Sequence, residues 1–224
     1  MTRVLVALAA VLALLTARDA AAGPPTDQLH RSIDLVLKIL SDSELKTEAK
    51  TAQRRAKIRT VANEIFDFRE ISQRSLGRHW QPRAPAEREE FIRLFGDLLE
   101  HSYITKIEGY SGEKILYAGE LADGDVATVK TRIVTKQGTE IPVDYRMFRN
   151  GERWRAYDVA IEGVSLVANY RTQFNSIIGR TGYPDLVTKL KAKQDERSGP
   201  REASRRDEAV VPASVPPGHR NQTP

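Results

Sequence analysis

The segment WRAYDVAIEGVSLVANYRTQFNSIIGR, residues 154–180, predicts a strand, a tight turn and a helix in direct succession. Residues 154–161 combine large strand-forming side chains with small alanines, which is typical of a β-strand. Glu162 and Gly163 end this pattern, because glycine accepts backbone angles that other residues avoid. Ser165 can then cap a helix whose apolar residues recur at helical spacing. The helix therefore presents a broad apolar face, which contains no residue with an evident catalytic role.

Two further blocks of sequence precede this segment and extend the pattern upstream. The motifs that the three blocks contain are FDF at 66–68, LG at 76–77, Trp80, FxxxF at 91–95, LL at 98–99, Tyr103, WRAYDVxxEGVSL at 154–166 and GRTG at 179–182. In this order and spacing they resemble the MlaC family over residues 26–193. Three ordered blocks are more specific evidence than a single glycine motif.

The resemblance implies a function and a set of partners. MlaC proteins are periplasmic auxiliary components of ABC transporters that were first linked to toluene tolerance, so the chain is expected to be a periplasmic phospholipid-binding carrier. It would shuttle a diacyl phospholipid between an outer-membrane lipoprotein complex and an inner-membrane ABC transporter complex, and so maintain lipid asymmetry. It would need no cofactor and would contact a membrane only transiently. Some members of the family are linked to hopanoids, so a hopanoid-associated carrier is an alternative.

The remaining sequence predicts an α+β fold. From residue 114 onward, strand-forming segments alternate with glycine turns at 123–125, 137–138 and 150–151, which predicts a meander of four antiparallel strands. One face of this curved sheet needs a cover, and the flanking helices can pack on its concave side. The resemblance implies the same architecture, similar to the cone-like folds of the nuclear-transport-factor type.

Capping signals place the helices along the chain. The predicted helices are one that begins at Thr26, one from Ser43 to about Phe66, one capped by Asp67 and ended by Gly77, one that begins at Pro85, and a short one over residues 185–193. On the second of these helices, a solvated basic face is expected at Arg54, Arg55, Lys57 and Arg59.

Both ends of the chain are predicted to lie outside the folded domain. Arg3, an apolar run over residues 4–15 and the alanines at 20–22 are typical of a secretory signal peptide cleaved after residue 22. The apolar run is too short to span a bilayer. Residues 195–224 have no apolar periodicity, which predicts a disordered tail. A single lipid-binding domain is therefore expected over residues 23–194.

The composition argues against several classes of function. The net charge is +5, or near +4 (5 − 2 + 1) without the two arginines and one aspartate of the signal, which suits an anionic lipid surface and does not require nucleic acid. The chain has no cysteine, so disulfides and thiolate metal sites are excluded. The four histidines, His30, His79, His101 and His219, are far apart, and neither a phosphate loop nor a nucleophile elbow is present. We therefore expect a protein that is not an enzyme, with no metal and no nucleic-acid partner.

The apolar faces of the predicted helices and strands favour lipid binding in an internal cavity as the function. Burying the roughly 28–30 methylenes of a diacyl phospholipid, at about 0.8 kcal/mol each, gives a transfer free energy of about 20 kcal/mol. Release into water is then very slow, so cargo must exchange by contact with another apolar site, while the headgroup stays at the mouth. The candidate lipid-binding residues are Phe91, Phe95, Leu98, Leu99, Val143, Tyr145, Met147, Tyr157, Val159, Ile161, Val164, Val167, Phe174 and Ile178.

A small-molecule isomerase or hydratase on the same architecture is the rival hypothesis. Asp144 and Asp158 lie on neighbouring predicted strands, and a cone-shaped fold can place a carboxylate inside as a general base. Strand alternation, however, directs both side chains away from the apolar face. We therefore expect the two carboxylates to be solvent-exposed or ion-paired, and no catalytic residue is assigned.

Overall fold

An antiparallel meander forms the centre of the protein in the computed structural model, which describes residues 23–198. The strands pair in sequence order, and the sheet contains five of them rather than the four predicted. They are β1 (Lys114–Asp123), β2 (Val126–Val134), β3 (Glu140–Asn150), β4 (Arg153–Ile161) and β5 (Val164–Ser165). The additional strand, β5, has only two residues and pairs with the end of β4. The predicted α+β class is confirmed.

Six α-helices accompany the sheet within the described residues. They are α1 (Pro24–Ser41), α2 (Thr51–Ile65), α3 (Phe68–Leu76), α4 (Pro85–Glu108), α5 (Leu166–Thr181) and α6 (Tyr183–Ser198). Three short 3-10 segments, Ser43–Leu45, Glu48–Lys50 and Gly77–His79, lie between them. None of the helices in residues 23–198 is both long and apolar enough to cross a membrane.

Several helix boundaries follow the local capping signals. Asp67 and Ser165 each accept a hydrogen bond from the backbone N–H three residues on, at 2.9 and 3.0 Å. Gly77 ends α3 with a φ of 53°, a backbone conformation that favours glycine. Pro85 begins α4, where its missing N–H has no cost. The predictions for these positions are confirmed.

Two predicted helix starts are wrong, one because a distant contact replaces the local signal and the other because the chain forms a short 3-10 turn instead. Thr26 does not cap α1, which begins at Pro24; its N–H and hydroxyl both donate to Glu120 of β1, at 2.9 and 2.6 Å. Ser43 does not begin a long helix. Asp42 accepts a bond from the N–H two residues on and caps only a 3-10 turn, and α2 starts at Thr51.

The last helix is longer than predicted. It begins at Tyr183 and continues to Ser198, past the expected domain end at residue 194. The side chain of Gln194 donates to Asp97 of α4, and Lys193 pairs with Glu196 at 3.0 Å, so side-chain contacts accompany the extra turn. The predicted signal peptide at residues 1–22 and most of the predicted tail, residues 199–224, lie outside the described residues.

The turn between β4 and β5 forces one residue into an unfavourable backbone conformation. Its two residues, Glu162 and Gly163, have φ values of 50° and 81°. Positive φ at both positions is the geometry of a two-residue type I′ hairpin turn, which matches the twist of the flanking strands. Glycine adopts it freely, whereas a glutamate brings its Cβ close to the neighbouring carbonyl oxygen. The turn thus stores backbone strain at Glu162.

Replacing Glu162 with glycine should therefore stabilise the protein. We expect the free energy of unfolding to rise by about 1 kcal/mol. Removing the left-handed strain stabilises the folded state, and the greater conformational entropy of glycine in the unfolded chain offsets part of this gain. Urea denaturation monitored by circular dichroism measures this change. Glu162→Ala is the control, because it removes the charge and keeps the Cβ, and it should give no gain. Equal gains in both variants would show that charge, not backbone strain, sets the effect.

The sheet separates two hydrophobic clusters. On one face, which we call the inner face, buried residues of β2, β3 and β4 pack against α1 and α2. This inner cluster consists of Leu29, Val61, Ile65, Ala127, Val129, Met147, Trp154 and Ala156. A second, helical cluster joins α3, α4, α5 and α6 and includes Phe91, Phe95, Tyr170 and Phe174. Half-buried Phe66 packs against both clusters.

A β-bulge in β4 determines which residues face which cluster. Met147 pairs with Ala156, but the preceding residue Arg146 pairs with Asp158, so Tyr157 is the inserted residue. Before the bulge, β4 directs Ala156 to the inner face; after it, Val159 pairs with inner-face Tyr145. Asp158 consequently points to the opposite, outer face. The extra residue therefore changes the alternation on which the sequence interpretation relied.

Ion pairs tie α2 to the C-terminal end of α4. Arg54 and Arg55 both bind the carboxylate of Glu108, each with a shortest distance of 2.7 Å, and Arg54 also donates to the carbonyl of Leu45. Arg59 pairs with Glu100 at 2.7 Å. The expected solvated basic face is therefore wrong for Arg54 and Arg55, because α4 supplies an acidic partner that cannot be seen in the local sequence; Arg59 is ion-paired but stays exposed to solvent.

The Glu108 carboxylate makes the stability depend on pH. Hydrogen bonds from Arg55, opposed by burial and reinforced by Arg54, hold the pKa of Glu108 below its usual value. Its stabilising effect is therefore fully present above the unfolded pKa, about 4.3, and is lost as the pH falls through the lower folded pKa. Glu108→Gln should lower the free energy of unfolding by about 2 kcal/mol at pH 7, and the two proteins should converge in acid.

A matched change tests whether the Glu108 effect is specific. Glu100→Gln lies on the same helix, but its partner Arg59 is 60% exposed, so the loss should stay below about 0.5 kcal/mol. Urea unfolding at a series of pH values from 3 to 7 compares both variants with the parent protein. A Glu108→Gln difference that does not shrink on acidification would contradict the assignment to its ionised carboxylate.

Candidate functional site

A cleft opens between α1 and the edge strand β1. Its volume is about 440 Å³, and we call it the α1–β1 cleft. The residues that line it are His30, Ile33, Asp34, Leu37, Tyr110, Gly112, Glu113, Lys114, Ile115, Leu116 and Tyr117. Apolar side chains from α1 and β1 contribute to its walls, and His30, Asp34, Glu113 and Lys114 add polar groups. This mixed lining suits a ligand with an apolar body and a polar end.

Polar contacts at the start of α1 fix that helix over the sheet. The carboxylate of Glu120 accepts hydrogen bonds from the N–H and the hydroxyl of Thr26. This contact also places a negative charge at the positive end of the helix dipole. One turn in, the amide of Gln28 exchanges hydrogen bonds with the backbone of Trp154. Beyond this anchored turn, half-buried Ile33 and Leu37 reach the cleft.

The cleft continues into an apolar strip across the inner face of the sheet. Tyr117 of β1 pairs with Thr131, which pairs with Val143, which pairs with Ile161. The adjacent row runs from Val129 through Tyr145 to Val159, and Met147 extends β3 on the same face. Directly paired residues share a face of the sheet. Five predicted lipid-binding residues are thus brought together here: Val143, Tyr145, Met147, Val159 and Ile161.

Two tyrosines of this strip have buried hydroxyl groups. Burial raises the pKa of Tyr145 to about 12. Burial, with Tyr145 and Asp34 nearby, raises the pKa of Tyr117 still further above its usual value. The ring of His30 lies 4.5 Å from the Tyr117 ring, centroid to centroid, and its Nε2 is 3.5 Å from Asp34. Both tyrosines therefore stay neutral at physiological pH.

Most of the other predicted lipid-binding residues lie in the helical cluster. Phe91, Phe95 and Phe174 are almost completely buried, with ring centroids 5.1 to 5.6 Å from one another. These are favourable edge-on and tilted aromatic contacts, which fill space rather than line a cleft. The further predicted residues in or against this cluster are Leu98, Leu99, Val167 and Ile178.

Two predicted residues lie apart from both groups. The Tyr157 ring is 6.2 Å from the Phe148 ring and lies under the guanidinium of Arg74, 4.0 Å away. Phe148 follows inner-face Met147, so Tyr157 is on the outer face. Val164, on β5, is 47% exposed. The predicted set of residues is therefore divided among the inner face, the helical cluster and the outer surface.

Asp158 has a structural environment rather than a catalytic one. Its carboxylate is only 3% exposed and accepts bonds from Arg146 at 3.1 Å, Ser165 Oγ at 2.6 Å and Val167 N at 3.0 Å. These donors occupy both oxygens and join β3, β4 and the start of α5. The expected ion pair is present, but the carboxylate is buried on the outer side under α5, not exposed to solvent.

The lining residues from α1 and β1 were missed as site residues. The sequence pattern assigns Ile33 and Leu37 only to the apolar face of a helix, and Ile115 and Tyr117 only to a strand. The available signal was the amphipathic pattern of α1, whose Leu29 and Leu40 are buried while Ile33 and Leu37 are only half-buried. Half-buried positions next to buried ones indicate an incompletely covered face, but sequence alone does not separate them.

His79, which lies in the 3-10 segment after α3, makes an ordinary hydrogen-bond contact. His79 Nε2 lies 3.0 Å from the side-chain oxygen of Asn175. Within the described part of the chain, no three histidine or acidic side chains are grouped closely enough to hold a metal ion.

Comparison with known proteins gives consistent matches. The sequence model of the family described as "MlaC protein" matches residues 30–192 of this chain. A relative from Haemophilus influenzae, described as "Intermembrane phospholipid transport system binding protein MlaC", is 25% identical over 162 residues, which cover 68% of this chain and 75% of the relative. A solved structure of a phospholipid-binding protein from Ralstonia solanacearum, in complex with a phospholipid, has a TM-score of 0.68 and 22% identity, and covers 79% of this chain and 100% of its own. At that identity the structural match shows a shared fold.

Proposed function

Because this chain belongs to the MlaC family, we propose that it is a carrier that binds phospholipid and moves it between membranes. The acyl chains are assigned to the inner face of the sheet, and the headgroup to the mouth of the α1–β1 cleft. The observation that carries this assignment is the continuity between the cleft and the apolar strip through the paired residues Tyr117, Thr131, Val143 and Ile161.

The cleft has a size that suits a ligand. Its volume of about 440 Å³ lies within the roughly 300–1,000 Å³ of typical ligand pockets. The deeper part of the strip is covered, since Val129 and Met147 are at most 1% exposed beneath α1 and α2. We therefore propose that α1 moves outward over the sheet when a lipid enters, so that the acyl chains replace its contacts with Tyr145 and Met147.

The helical cluster has a different role in this proposal. Its aromatic rings are already in contact with one another, so acyl chains would have to separate them at a high cost in packing. We assign Phe91, Phe95, Phe174 and their neighbours to the scaffold that supports β4 and α5. Among the predicted residues, the acyl chains are assigned to those of the sheet.

The relative's description and the physics of the cargo support an intermembrane role. The Haemophilus influenzae relative is described as the binding protein of an intermembrane phospholipid transport system. A buried diacyl lipid, with about 20 kcal/mol of transfer free energy, exchanges only through direct contact with another apolar site. We propose that this contact takes place in the periplasm, with an outer-membrane lipoprotein complex and an inner-membrane ABC transporter complex as partners. No catalytic step is proposed, because Asp158 is bound by structural donors.

Lipid analysis of the purified protein tests this function. Organic extraction and mass spectrometry should find about one diacyl phospholipid per chain, and delipidated protein should take up fluorescent phosphatidylglycerol from vesicles. A triterpenoid in the extract would instead support a hopanoid-associated carrier. If the extract contains no lipid and vesicles deliver none, the carrier function is wrong.

A further inference from the structure

One polar atom in the α1–β1 cleft has no hydrogen-bond partner. The hydroxyl oxygen of Tyr117 is buried, and no donor or acceptor in residues 23–198 bonds to it. Buried hydroxyl groups in folded proteins are nearly always hydrogen-bonded, because removing them from water without a partner is unfavourable. An unpaired hydroxyl inside a ligand cleft therefore calls for a functional explanation.

The surroundings of this hydroxyl favour a donor role. Burial keeps the phenol protonated, because it raises the pKa of Tyr117 above its usual value. The ring is held by contact with His30, and Tyr117 pairs in the sheet with Thr131, so the hydroxyl has a fixed position. Apolar Ile33, Leu37 and Ile115 lie in the same lining as polar His30 and Asp34, so a ligand there meets both hydrocarbon and polar groups beside the hydroxyl.

We propose that the Tyr117 hydroxyl donates a hydrogen bond to an oxygen of the bound lipid where the acyl chains join the headgroup. The acceptor is an ester carbonyl or a phosphate oxygen, both of which diacyl phospholipids carry at that junction. The inference rests on the proposed carrier function and adds a selection rule to it. Lipids with an acceptor oxygen at the base of their chains are retained, whereas a plain hydrocarbon skeleton leaves the buried hydroxyl unpaired.

The position of Tyr117 explains how one group can set the depth of the cargo. Tyr117 stands at the junction of the polar cleft lining and the apolar strip, since its cross-strand row leads directly to Val143 and Ile161. Lys114 and Glu113 lie nearer the start of β1 in the same lining, where a headgroup meets solvent. A hydrogen bond at Tyr117 therefore fixes the chains on the strip and the headgroup outside it.

Tyr117→Phe tests the proposal because it removes only the hydroxyl. Lipid-loaded protein is mixed with acceptor vesicles, and the rate at which phosphatidylglycerol leaves the protein is measured. The variant should lose the diester lipid about five- to tenfold faster than the parent protein, as expected for one hydrogen bond. Its delipidated form should melt at the same temperature or higher, because the hydroxyl has no partner without lipid.

A diether analogue of the same lipid identifies the acceptor. If parent protein releases the diether lipid as fast as the variant releases the diester, the acceptor is the ester carbonyl. If Tyr117→Phe accelerates release of both lipids by the same factor, the acceptor is a phosphate oxygen. Both results support the proposal. Equal release rates for parent and variant with both lipids would overturn it.

Two controls separate this result from trivial causes. Tyr103→Phe removes a hydroxyl from a residue packed against the helical cluster, outside the cleft, and should leave release unchanged; an equal acceleration would overturn the assignment to position 117. A lower melting temperature of delipidated Tyr117→Phe would also overturn it, because the hydroxyl would then have a protein partner. Parent protein that takes up no phosphatidylglycerol would refute the carrier function itself, which is a different outcome from an inert Tyr117→Phe.

Discussion

Ile33→Arg is expected to reduce co-purified phospholipid at least tenfold. Ile33 is half-buried on α1 and lines the α1–β1 cleft, so an arginine there places a charge where the acyl chains enter. Transfer of an unpaired charge into an apolar site costs several kcal/mol, which is more than the roughly 1.4 kcal/mol that corresponds to a tenfold loss of affinity. Extraction followed by phosphate analysis or mass spectrometry measures the lipid per chain.

A neighbouring position on the same helix provides the matched control. Leu35 is also a large apolar residue of α1, but it is 48% exposed and is not part of the cleft lining. Leu35→Arg should retain the lipid content of the parent protein, and circular dichroism should show both variants folded. Similar lipid content in folded Ile33→Arg and in the parent protein would contradict the position of the site.

Asp158→Ala is expected to cause the largest loss of stability, about 3–4 kcal/mol. The carboxylate is buried and joins three elements through Arg146, Ser165 and the N–H of Val167. Its removal leaves a buried N–H without its acceptor and one arginine without its counter-ion, and breaking buried pairs typically costs about 3–5 kcal/mol. Equilibrium urea unfolding followed by tryptophan fluorescence gives the difference directly.

Graded variants show whether burial or charge determines this loss. Arg146 is 46% exposed, so Arg146→Ala should cost only about 1 kcal/mol, because Asp158 keeps its two other donors and Arg146 is partly solvated. Ser165→Ala removes one donor together with the α5 cap, and should cost about 1–2 kcal/mol. An Asp158→Ala variant within 1 kcal/mol of the parent protein would refute the central role of this carboxylate.

Features set by neighbouring residues were predictable from the sequence. The caps at Asp67 and Ser165 and the stop at Gly77 each depend on contacts within four residues, and all three predictions are confirmed. The antiparallel order follows from short glycine turns, which leave adjacent strands no other pairing. Local chemistry therefore accounts for the element order and for the fold class.

Features set by distant residues were not predictable. Thr26 loses its expected capping role because Glu120, 94 residues away, accepts its N–H and hydroxyl. Arg54 and Arg55 leave the expected solvated face because Glu108 lies beside them in the fold. The bulge at Tyr157 has no clear sequence signal, and it places Tyr157 on the outer face while Val159 and Ile161 stay on the predicted apolar face.

The candidate site shows the same division. The sequence predicts which face of each helix and strand is apolar, but it does not show which other apolar face that face packs against. The apolar face of α4 packs against α5 and α6, whereas the apolar face of β3 packs against α1 and continues toward the cleft. Only the register of β1 with β2 brings Tyr117 to the end of the apolar strip, and that register depends on a bulge near Gly119.

The separation of the inner and helical clusters has a consequence for repeated use. A transport protein is loaded and emptied many times, and each cycle would disturb the packing of a molecule that had a single continuous interior. Here the aromatic interior shared by α3–α6 is distinct from the surface beneath α1, with Phe66 at the junction. If α1 moves as proposed, the surface beneath it can open while the aromatic cluster keeps its packing, so repeated ligand entry need not weaken the folded protein.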